Sequence, residues 1–221
     1  AKERNVLFHS DCVQAIGNIP IDVADLGVDL LTISGHKLYG PKGIGALYIR
    51  KGVVLEPLVN GGKQEGGLRA GTENIIGIVG LGKAGELAVQ RIHEMDRVKR
   101  MRNKLEKGIR SLIAEARLNI NSESRLPNTL NMTLPGIRGE SVVLALDQQG
   151  VSLSSGSACR SGSPKPSHTL LAMGLSEEEA HCALRFSLGV GNTMEEIDRT
   201  ILLLGEVVRD KKTAVRFVPC R

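Results

Sequence analysis

The sequence predicts an α/β fold in two parts, a mostly parallel sheet followed by a smaller α+β portion, and three observations predict it. Up to Val59, short apolar runs ("NVLFHSD", "VDLLTIS", "GALYIR", "VVLEPLV") alternate with turn residues. Their nearly continuous, β-branched hydrophobicity is that of strands covered on both faces. From Glu73 to about Ala116 the apolar spacing changes to three or four residues, the period of a helix. Beyond it, short strand-like and helix-like segments mix.

In the helical stretch Ile92, Met95, Val98, Met101, Leu105, Ile109 and Leu112 form one stripe. Gly77, Gly80, Gly82 and Gly85 crowd its first half, so a break is expected before about Ala88. A domain boundary is placed near there, dividing residues 1–92 from residues 93–221. In the second part "LNIN", "NTLNMTL" and "ALRFSLG" read as strands, and "ESVVLALDQQG" as a helix ended by Gly150. Ser176 with Glu179, and Thr193 with Glu196, have the spacing of capping boxes, so helices should start at both. The last helix carries Ile197, Ile201, Leu204 and Val208 on one stripe, expected to pack on the small sheet.

Composition narrows the function. With 221 residues, 41% hydrophobic and 24% charged, the chain can bury a substantial core. The net charge of +5 is spread among 24 acidic residues, and the densest cluster, "DRVKRMRNKLEKGIR", has the spacing of a solvated helix face. Aromatic content of 2% leaves no stacking platform for bases, so direct nucleic-acid binding is not expected. No apolar run suits a bilayer and "AKERNVLFHS" has no signal-peptide core, so no membrane partner is expected; the expected location is the cytoplasm, or the mitochondrial matrix in a eukaryote. Cys12, Cys159, Cys182 and Cys220 form no metal-ligand spacing, and no metal is expected. Cys12 and Cys182 read as small core residues, and Cys220 carries no role. His93 falls on the charged helix and His168 at a helix start.

Four constellations could carry chemistry. Asp11 ends a strand and Gln14 follows it; the carboxylate either faces a ligand or caps the next turn. Ser34, His36 and Lys37 follow another strand and together would cradle an anion, although a lone lysine in such a loop is ordinarily solvated. "GGKQEGGLRAGTEN" sets glycines, Arg69 and Thr72 at a helix start, which suits either a phosphate or a plain turn. In "SLSSGSACRSGSPKPSH" a cysteine, Cys159, sits among serines and glycines beside Arg160, a setting for a reactive thiolate rather than a packed one. A carboxylate, an amine, phosphate donors and a thiol are the parts of a pyridoxal-phosphate enzyme that handles sulfur. Lys37 is then expected to be buried, its amine engaged in a Schiff base.

Six blocks in order, "FHSDCVQAIGNIPIDV", "DLLTISGHKLYGPKGIGALYIR", "GGKQEGGLRAGTEN", "RLPNTLNMTLPG", "SLSSGSACRSGSPKPSH" and "ALRFSLGVGNTMEEID", resemble the cysteine desulfurases of the NifS/IscS type, within the class V aminotransferase superfamily. The resemblance implies the aspartate aminotransferase-like fold (fold type I) of enzymes dependent on pyridoxal 5'-phosphate (PLP). Residues 1–92 would be the C-terminal part of the large domain, and residues 93–221 the small domain with a mobile cysteine loop at 152–167. It implies that Lys37 holds the cofactor and moves protons, that Asp11 pairs with the ring nitrogen, and that Gln14 bonds the ring oxygen. Ser34 and His36 would contact the phosphate, and Thr72 the phosphate of the neighbouring subunit in a homodimer. Arg185 would bind the substrate carboxylate. Cys159 would take sulfur from L-cysteine as a persulfide, leaving L-alanine, and pass it to an iron-sulfur scaffold protein or to tRNA thiolation. Cys159 is also a candidate transient iron-sulfur ligand.

The similarity covers about the C-terminal half of the family's length. Three family features have no counterpart in the sequence: a cofactor-stacking histidine, an upstream glycine-rich phosphate turn, and an asparagine near the ring oxygen. The sheet is expected to have an unprotected edge. Three readings follow: a desulfurase whose other half is a separate chain or precedes this one, a truncated and silent module for scaffold binding or dimerisation, and a selenocysteine lyase or other class V relative.

Overall fold

The structure, a computed structural model, describes residues 1–120, 125–155 and 165–216, with side chains up to residue 210. The chain forms two compact units, Ala1–His93 and Glu94–Arg221.

The first unit is built on three strands: β1 (His9–Asp11), β2 (Leu30–Ser34) and β3 (Gly45–Ile49). β1 runs parallel to β2, with Asp11 opposite Thr32. β3 runs antiparallel, with Ser34 opposite Gly45. The sequence predicts a mostly parallel arrangement; the ten-residue link 35–44 is too short for the crossover that a parallel neighbour needs. A short helix α1 (Val23–Leu26), capped by the Asp22 carboxylate, connects β1 to β2. Cys12, Val28 and Leu31 form the small core, with Ala15, Ile21, Val23 and Ile33 around them. Cys12 is the core residue expected.

Burial on both strand faces does not hold throughout. Val6, Leu7 and Phe8 precede β1 and are exposed, as are Leu47 and Tyr48 on β3. The run Val53–Val59 forms no strand: Pro57 interrupts it, and Val54 and Leu58 are 87% and 96% exposed.

Helix α2 (Ile75–Arg91) begins where the Asn74 side chain accepts from the Gly77 amide at 3.0 Å. Its four glycines do not break it; the interruption falls later, at a 3-10 turn over Ile92–Glu94. Close packing outweighs propensity here. A Cβ at Gly80 would run into the Pro41 ring, and one at Gly40 would lie 2.9 Å from Ala84 Cβ, so small residues let α2 press on the loop after β2.

The second unit places helices on one face of an antiparallel sheet ordered β4 (Arg117–Leu118), β5 (Thr129–Thr133), β7 (Ala183–Ser187), β6 (Ser154–Ser155). The expected strand "LNIN" shrinks to the two residues of β4. Leu130, Met132, Leu184 and Phe186 face the core. Helix α3 (Met95–Leu112) adds Val98, Met101, Leu105 and Ile109, α4 (Gly139–Asp147) adds Val142 and Leu146, and α7 (Met194–Arg216) adds Ile197, Leu204 and Val208. Burying each such side chain is worth about 1.5–3 kcal/mol. The α7 stripe packs chiefly on α3 and α4 rather than directly on the sheet. Helix α5 (His168–Ala172) starts at His168, as expected. Helix α6 (Glu177–His181) begins with the expected capping box: Glu179 N–H donates to Ser176 Oγ at 3.2 Å, and Ser176 N–H to Glu179 Oε2 at 2.9 Å. Thr193 and Glu196 make the same reciprocal pair ahead of α7. No helix among the described residues is long and apolar enough to cross a membrane.

Candidate active site

Parallel pairing brings the C-terminal ends of β1 and β2 side by side, which is where open α/β sheets receive ligands. Asp11 is the last residue of β1 and stands opposite Thr32; Ser34, two residues on, ends β2. The Asp11 carboxylate is exposed, and its Oδ1 accepts from the Val13 amide at 2.9 Å. One oxygen thus caps the turn, and the side chain remains exposed. Gln14 is exposed on the same turn, its backbone carbonyl accepting from Asn18 Nδ2 at 2.9 Å. His9 Nε2 lies 2.8 Å from Thr32 Oγ1, so that imidazole is engaged within the sheet.

After β2 the chain makes a 3-10 turn, Gly35–Leu38, closed by Tyr39 in the left-handed region at φ 62°. Gly35 is required there: a Cβ would lie 2.8 Å from Ile44 Cγ2 and 3.0 Å from the Pro41 carbonyl oxygen. Gly35 and Leu38, one 3-10 turn apart, share the buried side. His36 and Lys37 between them are thereby turned outward and are exposed. The expected burial of Lys37 is thus corrected, for its ammonium remains in water, where an unpaired charge costs least. Ser34 Oγ lies 2.9 Å from His36 Nδ1, joining hydroxyl and imidazole in one donor group.

Thr72 is exposed in the loop before α2. It is not at the helix start as expected, because Asn74 takes the cap.

Arg185 belongs to the second unit, at the centre of β7. Asn131 of β5 stands opposite it on one side and Ser154 of β6 on the other. Its Nε is buried and has no hydrogen-bond partner. Cys159 and Arg160 lie outside the described residues, as does Cys220; Ser154 and Ser155 are the strand from which the cysteine segment departs. Cys182 is buried in the core as expected. Two residues escaped the sequence reading, Thr32 and Asn131. The signal for Asn131 was present: Thr129, Asn131 and Thr133 alternate with Leu130 and Met132, the mark of a strand with one polar face.

The chain is 49% identical over 214 residues to the cysteine desulfurase IscS of Clostridium botulinum, covering 96% of this chain and 54% of that protein. It is also 49% identical over 220 residues to the IscS of Methanosarcina thermophila, covering 99% of this chain and 54% of that one. Among solved structures, a NifS-like protein superposes with a TM-score of 0.84 at 40% identity, covering 94% of this chain and 54% of its own. The NifS-like protein of Rickettsia africae gives a TM-score of 0.86 at 35% identity, covering 94% and 55%. The expected fold type I is thus the fold these structures share, in part, and the chain spans about half the length of the relatives it matches. The aminotransferase class-V family matches over residues 1–200, and the chain belongs to it.

Proposed function

We propose that this chain is the part of a PLP-dependent cysteine desulfurase that carries the cofactor lysine and the sulfur-accepting cysteine. One observation carries the reading: Asp11, the Ser34–His36 pair and Lys37 gather at the C-terminal ends of two parallel strands. Likeness to proteins named cysteine desulfurase adds to it.

The residues fit the cofactor. An exposed carboxylate, a hydroxyl joined to an imidazole and an outward amine match a ring nitrogen, a phosphate and an aldehyde carbon. When bound, PLP supplies an electron sink for charge developing at the substrate α-carbon. With PLP bound, Lys37 would hold the aldehyde carbon and would move the proton at the substrate α-carbon. Asp11 would keep the ring nitrogen protonated, and Gln14 would donate to the ring oxygen. Ser34 and His36 would hold the phosphate, and Thr72 would reach the phosphate of a second subunit in a homodimer.

Arg185 binds the substrate carboxylate with its planar fork. Cys159 attacks the substrate sulfur: the substrate carbon–sulfur bond breaks, a sulfur–sulfur bond forms on Cys159, and the carbon skeleton takes up a proton to leave as L-alanine. Three residues lie between Ser155 and Cys159, so the thiol-bearing residue can stand at most about 14 Å from the end of β6. The acceptor is an iron-sulfur scaffold or a tRNA-thiolation protein, in the cytoplasm or the mitochondrial matrix. The reaction needs the rest of the family's length, and the exposed Val6, Leu7, Phe8, Ile76 and Val79 of the first unit support a seat for it.

The same exposed side chains favour a second reading, a silent module that binds a scaffold or dimerises. Adding PLP to the purified chain, and assaying sulfide release once the rest of the family's length is supplied, separates the two. The desulfurase reading expects a yellow product, lost in Lys37→Ala and kept in Cys159→Ser, with sulfide release from L-cysteine lost in both. Colour surviving in Lys37→Ala overturns it, and a colourless chain that binds a scaffold protein establishes the silent module instead.

A further inference from the structure

We infer that Asn131 is a second binding residue for the substrate carboxylate, holding it together with Arg185, and that Asn119 and Thr133 set its orientation. The inference rests on the reading of Arg185 given above.

Strand β5 sorts its side chains by face. Leu130 and Met132 are fully buried on the helix side, so Asn131 and Thr133 project from the other face. Residues directly opposite in an antiparallel pair share a face with Cβ atoms about 4.5–5.5 Å apart. Asn131 is opposite Arg185, and Ser154 is opposite Arg185 from the other edge. The backbone bond from Asn119 N–H to the Asn131 carbonyl, 3.0 Å, carries this row one strand further.

Hydrogen bonding gives the row a direction. The buried Thr133 hydroxyl donates to Asn119 Oδ1 at 2.8 Å, and Asn119 Nδ2 donates to Asn131 Oδ1 at 2.6 Å. The Asn131 carbonyl is thereby committed, while its NH2 group has no acceptor among the described residues. Next to it Arg185 offers a buried Nε–H that also lacks one. Two neighbouring donors without an acceptor define a site for an acceptor-only group. A carboxylate fits, because one oxygen can take the guanidinium edge and the other the amide.

The test uses the full chain labelled with nitrogen-15, following the Arg185 Nε–H and Asn131 NH2 signals during titration with L-alanine, ethylamine or inorganic phosphate. L-alanine should move both signals with one dissociation constant, and ethylamine, which lacks the carboxylate, should move neither. Asn131→Ala should weaken L-alanine binding by about tenfold, the loss of one hydrogen bond to a charged group. Thr133→Val should weaken it by a smaller factor, and Thr133→Ser should restore it. Backbone amide spectra of each variant report whether the sheet is intact. Unchanged affinity in a folded Asn131→Ala variant overturns the inference while leaving Arg185 its role. An Arg185 signal that never moves overturns that role and the inference together. A stronger response to phosphate than to L-alanine assigns the row to another anion and likewise overturns it.

Discussion

Ser154 stands directly opposite Arg185 on the β6–β7 pair, so the strand that leads into the cysteine segment is hydrogen-bonded to the strand that carries the guanidinium. Chain connectivity thus ties Cys159, five residues after Ser154, to the residue proposed to hold the substrate. If Arg185 acts through its fork, Arg185→Lys keeps the charge but loses the bidentate geometry. Its KM for L-cysteine should rise at least about tenfold in assays of alanine formation, kcat changing less, and Arg185→Ala should be worse. An unchanged KM in Arg185→Lys would remove the residue from substrate binding.

The Ser34–His36 hydrogen bond, 2.9 Å, predicts a graded effect on the cofactor. Ser34→Ala removes the hydroxyl proposed to hold the phosphate and frees His36 Nδ1 from its partner. The affinity for PLP, read from the yellow colour on titration, should fall by about tenfold, since a hydrogen bond to a charged group is worth about 1.5–3 kcal/mol. The fold should be unaffected, because Ser34 is only half-buried at the strand end.

Asp29 makes the first unit acid-sensitive. Its carboxylate accepts from the Phe8 amide at 2.7 Å and pairs with Arg50, whose Nε donates at 2.6 Å, joining the start of β1 to the end of β3. The Phe8 amide first, and the Arg50 guanidinium after it, hold its carboxyl below the ordinary 3.8. A carboxyl lowered on folding stabilises the native state above its unfolded value, and that contribution is lost as pH falls through the native one. Wild type should therefore melt higher than Asp29→Asn at neutral pH, and the two melting curves should converge as pH drops below 3.8. A gap that stays constant across this range would show that the charge of Asp29 is not what stabilises.

Much of this was legible in the sequence because local chemistry decided it. The capping boxes at Ser176 and Thr193 formed as read, and the alternation in "NTLNMTL" gave β5 its two faces. Cys12 and Cys182 went to the core as their neighbours implied. The misreadings lie where distant contacts decide. Among the α2 glycines that looked like breakers, Gly80 leaves the room that the Pro41 ring occupies. Lys37 was expected inside because its amine was read as engaged in a Schiff base, yet a 3-10 turn that buries Gly35 and Leu38 exposes the two residues between. The antiparallel course of β3 follows from a link length that the apolar pattern does not encode. Asn131 lay in a strand that was read correctly, but its pairing with Arg185 spans 54 residues of sequence.

The two units should differ in stability. Most of the exposed large hydrophobic side chains among the described residues lie in the first, including Ile76 at 86% and Val79 at 66%. In the second, Met101, Leu105, Ile109, Leu130, Met132, Leu184 and Leu204 are all 2% exposed or less. Opening free energy follows the apolar area buried, so β5 and β7 should have the most protected amides in hydrogen exchange, and those of β2 should exchange first. Leu105→Ala should cost about 2–5 kcal/mol, a cavity in a closed core. It should speed exchange throughout β5 and β7, whereas Ile76→Ala should change the exchange of either unit little, because that side chain has few contacts to lose. Equal protection of Leu31 and Leu130 would show that the first unit is stabilised by something other than the apolar area it buries.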